Sequence, residues 1–454
     1  MTVQHLHLMG IGGVGMCGIA EVLLSRGLAV SGCDLARSER TRHLENLGAQ
    51  IFIGHDAAHV ETADALVVTA AVPPGAPEME AAAGRGLPII RRSEMLGELM
   101  RFRRGVAVAG THGKTTTTAL IGHLMTAAGA DPTIIVGGRV HFLGTHARVG
   151  ESPLRVCEAD EYDRSFLELA PHIAVVTNLE AEHLDCYDGE DDLMAAFTTF
   201  ANRSSVFGAA VLCADDPGAW SLRRGLRRRV VGYGTSPEAE VRMEIVEAGV
   251  EGTSFDVKRH GRSLGRVQLA LPGAFNALNA LAAITVGLEL DVAFDVLAAA
   301  CGEFAGVARR FEVRGERDGV TVIDDYAHHP TELRAVFEAT RQAMPGRRIV
   351  AAFQPHLFSR TRDFAAELAS ALMGAEVAVV LPIYPAREQP IPGVDAALVV
   401  AEANRLGHPC VIEGLPPGEA RTQLDEILRE GDVLLTIGAG DVDRLGEAWL
   451  EDSS

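Results

Sequence analysis

Short apolar runs alternate with longer stretches in which apolar residues recur every third or fourth position, almost from one end of the chain to the other. That alternation predicts strands and helices in turn, and hence α/β layers built on largely parallel sheets. HLHLMG predicts a strand, MCGIAEVLLSRG a helix, AVSGCD a second strand, and ALVVTAAV another that ends in the turn-forming PPGAP. Together they predict a Rossmann-like unit over residues 1–103, closed by RFRRG (101–105) as a linker. A second series, residues 104–309, starts at VAVAG and continues through TIIVGG, RVCEAD, AVVTN and AVLCAD, with DDLMAAFTTF as a helix. Between residues 228 and 272 the runs shorten (VVGYG, VRMEIVEA, TSFDVKR, RVQLALPG), which predicts a small antiparallel sheet added to this domain. Two helices, NALNALAAITVGLEL and VAFDVLAAACGEF, follow. A third series, residues 310–454, follows GVARRFEV with the strands GVTVIDDY, RRIVAAFQP, EVAVVLPIY, CVIEG and DVLLTIGAG. The expected fold is therefore three α/β domains: Rossmann-like, P-loop ATPase-like with a small antiparallel sheet, and Rossmann-like again.

Charge narrows the partners. Across 454 residues, 61 acidic against 41 basic side chains leave a net charge of −20. Such a surface repels a phosphate backbone and disfavours nucleic acid, so a phosphate ligand must be gripped locally. There is no uninterrupted apolar window of about 18 residues, so no membrane span is expected. MTVQHLHLMG lacks the basic start of a signal peptide, and the seven scattered cysteines read as reduced thiols. A cytoplasmic protein is expected.

Two glycine loops carry the first chemistry. In VAVAGTHGKTTTTAL (106–120) a strand runs into glycines, a lysine and threonines, and then a helix. Glycines let backbone N–H groups surround phosphate oxygens, and the helix N-terminus favours the anion. The pattern is a shortened GxxGK[ST], since Val108 stands where the full motif has glycine. Lys114 is one of only two lysines in the chain. Its ammonium suits the phosphates as a compact charge where a forked guanidinium would not, and Thr115 offers a hydroxyl to Mg²⁺. Gly110, Thr111, His112, Gly113 and Thr116 complete the loop. GIGGVG, with Gly10, Gly12, Gly13 and Gly15, fits G-x-G-x-x-G before a helix, with Asp34 ending the next strand. Taken alone it predicts a pyrophosphate site, NAD-type or other.

Polar clusters sit at strand ends, where open α/β sheets bind ligands. VCEADEYD (156–163) holds Glu158, and TNLEAEHLD (177–185) holds His183 beside Glu182 and Asp185. A carboxylate and an imidazole beside a triphosphate are candidate Mg²⁺ ligands. DDYAHHPTE (324–332) and FQPHLFSRTRD (353–363) are further clusters, each also readable as a helix start.

Taken in order and spacing, GIGGVGMCGIAEVL, VAGTHGKTTTT, CEADEYDRSFL, VTNLEAEHLD, GVARRFE, IDDYAHHPTE and FQPHLFSRTRD resemble the Mur ligases, the ATP-dependent amide-forming enzymes of peptidoglycan synthesis. The resemblance covers nearly the whole chain and is strongest to the alanine-adding branch. It implies a UDP-sugar on the first loop, ATP on the second, and the amino acid on the third domain. The implied reaction joins L-alanine to the lactyl carboxylate of UDP-N-acetylmuramate through an acyl phosphate. It assigns phosphate and Mg²⁺ positions to Lys114 and Thr115, metal binding to Glu158 and His183, an ATP-phosphate contact to Arg310, and a ribose-side acid to Asp325. Asn276 and Asn279 are implied on the adenine side, and His356 and Arg360 at the alanine carboxylate. No lysine lies between Lys114 and Lys258, so the carbamylated lysine of later-acting relatives is not expected. Phe275 replaces a common histidine and Leu357 an arginine of some members. The rival reading is a murein-tripeptide ligase acting on the same sugar, and a monomer or weak homodimer is expected.

Overall fold

Strand β1 (His5–Met9) runs into the first glycine loop and helix α1 (Val14–Ser25) in the computed structural model of the chain, which describes residues 3–69, 71–101, 104–143, 145–180, 186–249, 251–386 and 388–451. Then come β2 (Ala29–Asp34), α2 (Glu39–Asn46), β3 (Gln50–Ile53), β4 (Ala65–Val68), α3 (Pro77–Gly84), β5 (Ile89–Arg91) and α4 (Arg92–Met100). The sheet order is β3-β2-β1-β4-β5, parallel throughout. This is the order of a mononucleotide-binding half, with the β1–α1 turn where the strand order reverses.

The central series is β6 (Arg104–Ala109), α5 (Lys114–Ala127), β7 (Thr133–Val140), β8 (Thr145–Arg148), β9 (Leu154–Glu158), β10 (Ile173–Val176), α6 (Glu190–Asn202), β11 (Ala209–Cys213), α7 (Pro217–Ser221) and β12 (Val230–Gly234). β13 (Val241–Gly249), β14 (Gly252–Arg259), β15 (Arg262–Leu269), α8 (Ala274–Glu289) and α9 (Phe294–Gly302) follow. Among the described residues the strand order is β15-β14-β13-β12-β11-β10-β6-β9-β7-β8. Two expectations change here. The linker at 101–105 already belongs to a strand at Arg104, because Arg104 and Gly105 pair with Leu154 and Arg155. The small antiparallel sheet expected over 228–272 is joined to the central sheet in one strand order, and it begins later than expected. VVGYG is β12, a parallel strand between β11 and β13. Only beyond it does the chain turn back tightly, as at His260-Gly261, where φ is +49° and +77°; a two-residue turn with both φ positive joins antiparallel strands.

The third sheet uses β16 (Glu312–Arg317), β17 (Val320–Asp325), α10 (Pro330–Ala343), β18 (Ile349–Phe353), α11 (Phe358–Asp363), α12 (Ala365–Leu372), β19 (Val377–Val380), α13 (Ala396–Arg405), β20 (Val411–Glu413), α14 (Ala420–Ile427), β21 (Val433–Ile437) and α15 (Asp443–Leu450). Its order is β16-β17-β21-β18-β19-β20, parallel except for the polar edge strand β16. Packing divides the chain into two units. One holds Met1–Glu244, Phe255–Gln268 and Leu278–Ala305; the other holds Ile245–Ser254, Leu269–Ala277 and Gly306–Ser454.

Within the first unit one apolar core runs from Leu8 and Ile19 through Leu96 and Met100 to Ala107, Phe166 and Phe200. Helix α1 lies against β7 and β8. A Cβ at Gly18 would stand 3.2 Å from Ile135 Cγ2 and 3.3 Å from Ala147 Cβ, so the helix approaches the central sheet as closely as a glycine allows. Thr145 Oγ1 donates to Glu21 Oε1 at 3.1 Å across the same contact. In the second unit, α10 and α12 cover one face of the sheet with Leu333, Phe337, Leu368 and Leu372, and Phe275 packs against that core. No helix among the described residues is long and apolar enough to cross a membrane.

Candidate active site

β6 is fully apolar from Val106 to Ala109, so it sits at the centre of its sheet and delivers the loop 110–113 at the C-terminal edge. Gly110 has φ +135°, and a Cβ there would fall 2.1 Å from Thr177 Oγ1. Gly113 has φ +78° and caps α5 without a side-chain hydrogen bond. Lys114, Thr115 and Thr116 therefore open the helix with N–H groups that have no intrahelical acceptor, a site for an anion. The strand beside β6 holds the loop in place. His112 N donates to Asn178 Oδ1 at 2.7 Å, Thr177 Oγ1 donates to His112 O at 2.6 Å, and Glu180 N donates to Thr111 Oγ1 at 2.9 Å. His112 Nε2 lies 3.4 Å from Glu180 Oε2. From α8, Asn279 Oδ1 accepts from Thr117 Oγ1 at 3.1 Å and lies directly under Gly113.

Lys114 folds back over this loop. Its Nζ donates to Gly110 O at 2.5 Å, to Thr111 O at 3.1 Å and to Glu161 Oε1 at 2.9 Å. Burial alone would lower the lysine, but Glu161, Asp160 and Glu158 outweigh it and hold the ammonium above its ordinary pKa. Burial pushes the Glu161 carboxyl up to about 7, with Lys114 pulling the other way. The sequence reading counted Glu161 only as one more acid of CEADEYD. The missed signal was that a lysine enclosed in a glycine loop needs a resident counter-charge. Glu158 ends β9, and its Oε2 would be 2.0 Å from a Cβ on Gly137, so that glycine makes room for the carboxylate. His183, with Glu182 and Asp185, lies outside the described residues.

The first loop is built differently. Gly10 N and Ile11 N both donate to Cys33 O, at 2.8 and 3.1 Å. Gly12 N donates to Asp34 Oδ2 at 2.8 Å, and Leu35 N to Oδ1 at 2.8 Å. Asp34, which a dinucleotide site would turn toward a ribose hydroxyl, here ties down the loop itself. Gly13 caps α1 without a side chain, leaving that helix start open as well, and a Cβ on Gly15 would meet Arg92 Nη1 at 2.9 Å. Arg92 in turn reaches Asp160 Oδ2 at 3.6 Å.

The second unit gathers two clusters. In the first, Arg309 and Phe311 adopt φ of +60° and +50°, a backbone conformation costly for side-chain-bearing residues, with Arg310 between them. Asp325 fixes this turn: Oδ2 accepts from Phe311 N at 2.7 Å and Oδ1 from Ala327 N at 2.8 Å. Burial pushes Asp325 up to about 6, although Arg310 and both N–H groups lower it. The Arg310 guanidinium stands 5.1 Å over the Tyr326 ring and 4.0 Å from Glu332 Oε1. His329 caps α10, with Glu332 completing a capping box, so HPTE is a helix start as well as a polar cluster. Asn276 Nδ2 donates to Pro272 O at 2.8 Å. In the second cluster, Leu357 has φ +70° just before α11, and Arg360 Nη1 lies 3.4 Å from His356 Nδ1. The His356 ring stacks 6.0 Å from Tyr384, and burial, His328 and Arg360 hold it neutral with a pKa of about 3.

Known proteins match this arrangement end to end. Three family models fit in order: "Mur ligase family, catalytic domain" over residues 5–104, "Mur ligase middle domain" over 108–287, and "Mur ligase, glutamate ligase domain" over 309–440. The UDP-N-acetylmuramate–L-alanine ligase of Salinibacter ruber is 48% identical over 99% of this chain and 95% of its own. That of Oleidesulfovibrio alaskensis is 46% identical over 99% of both. Among solved structures, the UDP-N-acetylmuramate-alanine ligase of Thermotoga maritima aligns with a TM-score of 0.83 at 28% identity over 98% of both chains. With two open helix starts behind two glycine loops and matches spanning every domain, the chain belongs to the Mur ligase family.

Proposed function

We propose that the chain is the ATP-dependent ligase that joins L-alanine to the lactyl carboxylate of UDP-N-acetylmuramate, an early step of peptidoglycan synthesis. The observation that carries the reading is near-half identity, over almost the full length, to relatives bearing that name. The murein peptide ligase of Psychrobacter arcticus shares the fold at 23% identity, a likeness of fold that lends the tripeptide reaction no support.

The chemistry asks for what the loops offer. A carboxylate and an ammonium at neutral pH form a salt, so the acid must first be activated. Its oxygen attacks the γ-phosphorus of ATP, the bond to ADP breaks, and an acyl phosphate results. The neutral alanine amine then attacks the acyl carbon, and inorganic phosphate leaves. Both steps accumulate negative charge, so fixed cations and N–H dipoles supply most of the catalysis. We assign the α5 start, with Gly110 to Thr116, to the ATP phosphates and Lys114 to the charge that develops on the transferred group. The α1 start, with Gly10 to Gly15, is assigned to the UDP pyrophosphate. Arg310 is assigned to an ATP phosphate, Asp325, Asn276 and Asn279 to the nucleoside side, and His356 and Arg360 to the alanine carboxylate. A hydroxyl and a carboxylate are the hard oxygen donors Mg²⁺ prefers, so Thr115 and Glu158 fit the ion, with His183 as the third assigned ligand. When bound, the ion would draw charge from the phosphates. We place the enzyme in the cytoplasm, working as a monomer or weak homodimer. Phosphate release measured with UDP-N-acetylmuramate, ATP and a panel of amino acids tests the reading. Release that depends on L-alanine supports it, and release driven only by a tripeptide would overturn it.

A further inference from the structure

The first sheet holds a second group of chemically active side chains away from both helix starts. His7 of β1, Cys33 of β2, His59 of the short helical turn Ala57–Val60 and Glu78 of α3 bring one ligand atom each to within 4.8 Å of one another. His7, Cys33 and Glu78 are buried, and His59 is nearly so. Among the described residues two of the atoms meet no hydrogen-bond partner: His7 Nε2 and Glu78 Oε2, both on side chains with 0% exposure. Glu78 Oε1 accepts from Asp56 N at 3.0 Å and lies 3.2 Å from His55 Nδ1 and 3.1 Å from His59 Nδ1. Unsatisfied atoms at zero exposure are costly and are expected to serve a ligand or an ordered water.

A hydrogen-bond relay sets the form of His7. His5 Nδ1 lies 2.9 Å from Thr62 O, which can only accept, so Nδ1 carries the proton. In the tautomer with that proton on Nδ1, Nε2 is the acceptor, and the donor at 2.8 Å is the Ser31 hydroxyl. Ser31 Oγ has then spent its proton and accepts from His7 Nδ1 at 2.9 Å. His7 Nε2 is left with a bare lone pair directed into the cluster. Burial and His59 keep this ring neutral, with a pKa of about 4. A neutral imidazole whose far nitrogen is held by a hydrogen bond is the arrangement of a metal-ligating histidine.

We propose that His7, Cys33, His59 and Glu78 form a binding site for one borderline divalent cation, of which zinc fits best. A thiolate, two imidazoles and one carboxylate satisfy tetrahedral zinc, whereas Mg²⁺ and Ca²⁺ want oxygen alone. Zinc bonds of about 2.0–2.3 Å put tetrahedral ligands about 3.3–3.8 Å apart, a spacing within reach of a set already gathered inside 4.8 Å. The Cys33 thiol, which burial and Glu78 push up to about 12, gives its proton to solvent as the metal–sulfur bond forms. His55, half-exposed and 3.8 Å from Cys33 Sγ, stands at the entrance. The site also roots the first glycine loop, since Cys33 O is the acceptor for Gly10 N and Ile11 N.

The test uses the full chain without nucleotide, in excess Mg²⁺. Metal-stripped protein is titrated with Zn²⁺, and separately with Co²⁺, whose thiolate charge-transfer and tetrahedral d–d absorptions report the ligand set. We expect one Zn²⁺ per chain, a rise in the thermal midpoint on binding, and a Co²⁺ spectrum with a thiolate band. Cys33→Ser removes the band and weakens binding at least tenfold, His59→Asn weakens binding by a similar factor and keeps the band, and Cys410→Ser at the exposed thiol changes neither. No bound Zn²⁺ in the parent chain would mean that buried water fills the two vacant partners, and would overturn the proposal. So would a thiolate band that survives Cys33→Ser, since the ion then sits elsewhere.

Discussion

Lys114 Nζ sits 2.9 Å from Glu161 Oε1, and both groups are enclosed at the root of the same loop. The lysine assigned to a phosphate is thus held in reserve by a carboxylate that burial has pushed up to about 7. A group so poised can take a proton when the ammonium swings away, so the pocket is not left with an unpaired buried charge.

Replacing Lys114 by alanine should lower ligation by at least about a hundredfold while the protein still folds, since a transition-state cation is lost. Steady-state phosphate release on a variant with native circular dichroism checks this. Near-normal turnover would remove Lys114 from the mechanism.

The same variant carries a pH signature. Lys114 holds the folded pKa of Glu161 down, yet that pKa is already raised from 4.5 to about 7. An acid with a raised folded pKa contributes stability that is complete below its unfolded pKa and is lost as pH rises through the folded one. Without the ammonium the loss deepens. The fall in thermal midpoint caused by Lys114→Ala should be larger at about pH 8 than at about pH 5, and equal falls at both would show that the pair is uncoupled.

Asp325 gives a second window. Its folded pKa is raised from 3.8 to about 6, so its contribution declines as pH climbs through that range. Asp325→Asn should remove part of the decline and leave the part owed to Asp324, which burial also raises to about 6. Thermal midpoints of both proteins across those pH values are the measurement; parallel curves would count against it.

Gly110→Ala places a methyl 2.1 Å from Thr177 Oγ1 at a φ of +135°. The backbone strain alone is on the order of 1–3 kcal/mol, and the overlap with Thr177 can be relieved only by moving the loop. The KM for ATP should rise more than the stability falls, and an unchanged KM would show that the loop does not hold the nucleotide.

Arg360→Ala should raise the KM for L-alanine, by on the order of 2–5 kcal/mol of binding, with the KM for ATP and for the UDP-sugar little changed. Leu357→Arg should partly rescue it. Equal rises in all three constants would make Arg360 structural, and His356 the next residue to test.

Much of this was legible because central strands and glycine turns leave strong local marks. β1, its loop and α1 read directly from HLHLMGIGGVG, as did β6, Lys114 and α5 from VAVAGTHGKTT. The failures share a cause. β3, β5, β8 and β16 are short or polar strands with little apolar alternation of their own, so nothing in EVRGER announces β16. RFRRG reads as a linker by composition, but β9 gives Arg104 and Gly105 a partner. The Lys114–Glu161 pair spans 47 positions, and no pattern of spacing links them.

Helix α1 leaves the first glycine loop and then lies, at Gly18, against Ile135 of the strand that also carries Gly137 beside Glu158. The first third of the chain is therefore no detachable cassette. Recombination between relatives that exchanged residues before Arg104 alone would pair a foreign helix with a groove shaped for glycine. Gly18, Ile135 and Ala147 have to be inherited together, so crossovers that survive selection should spare the interval between them.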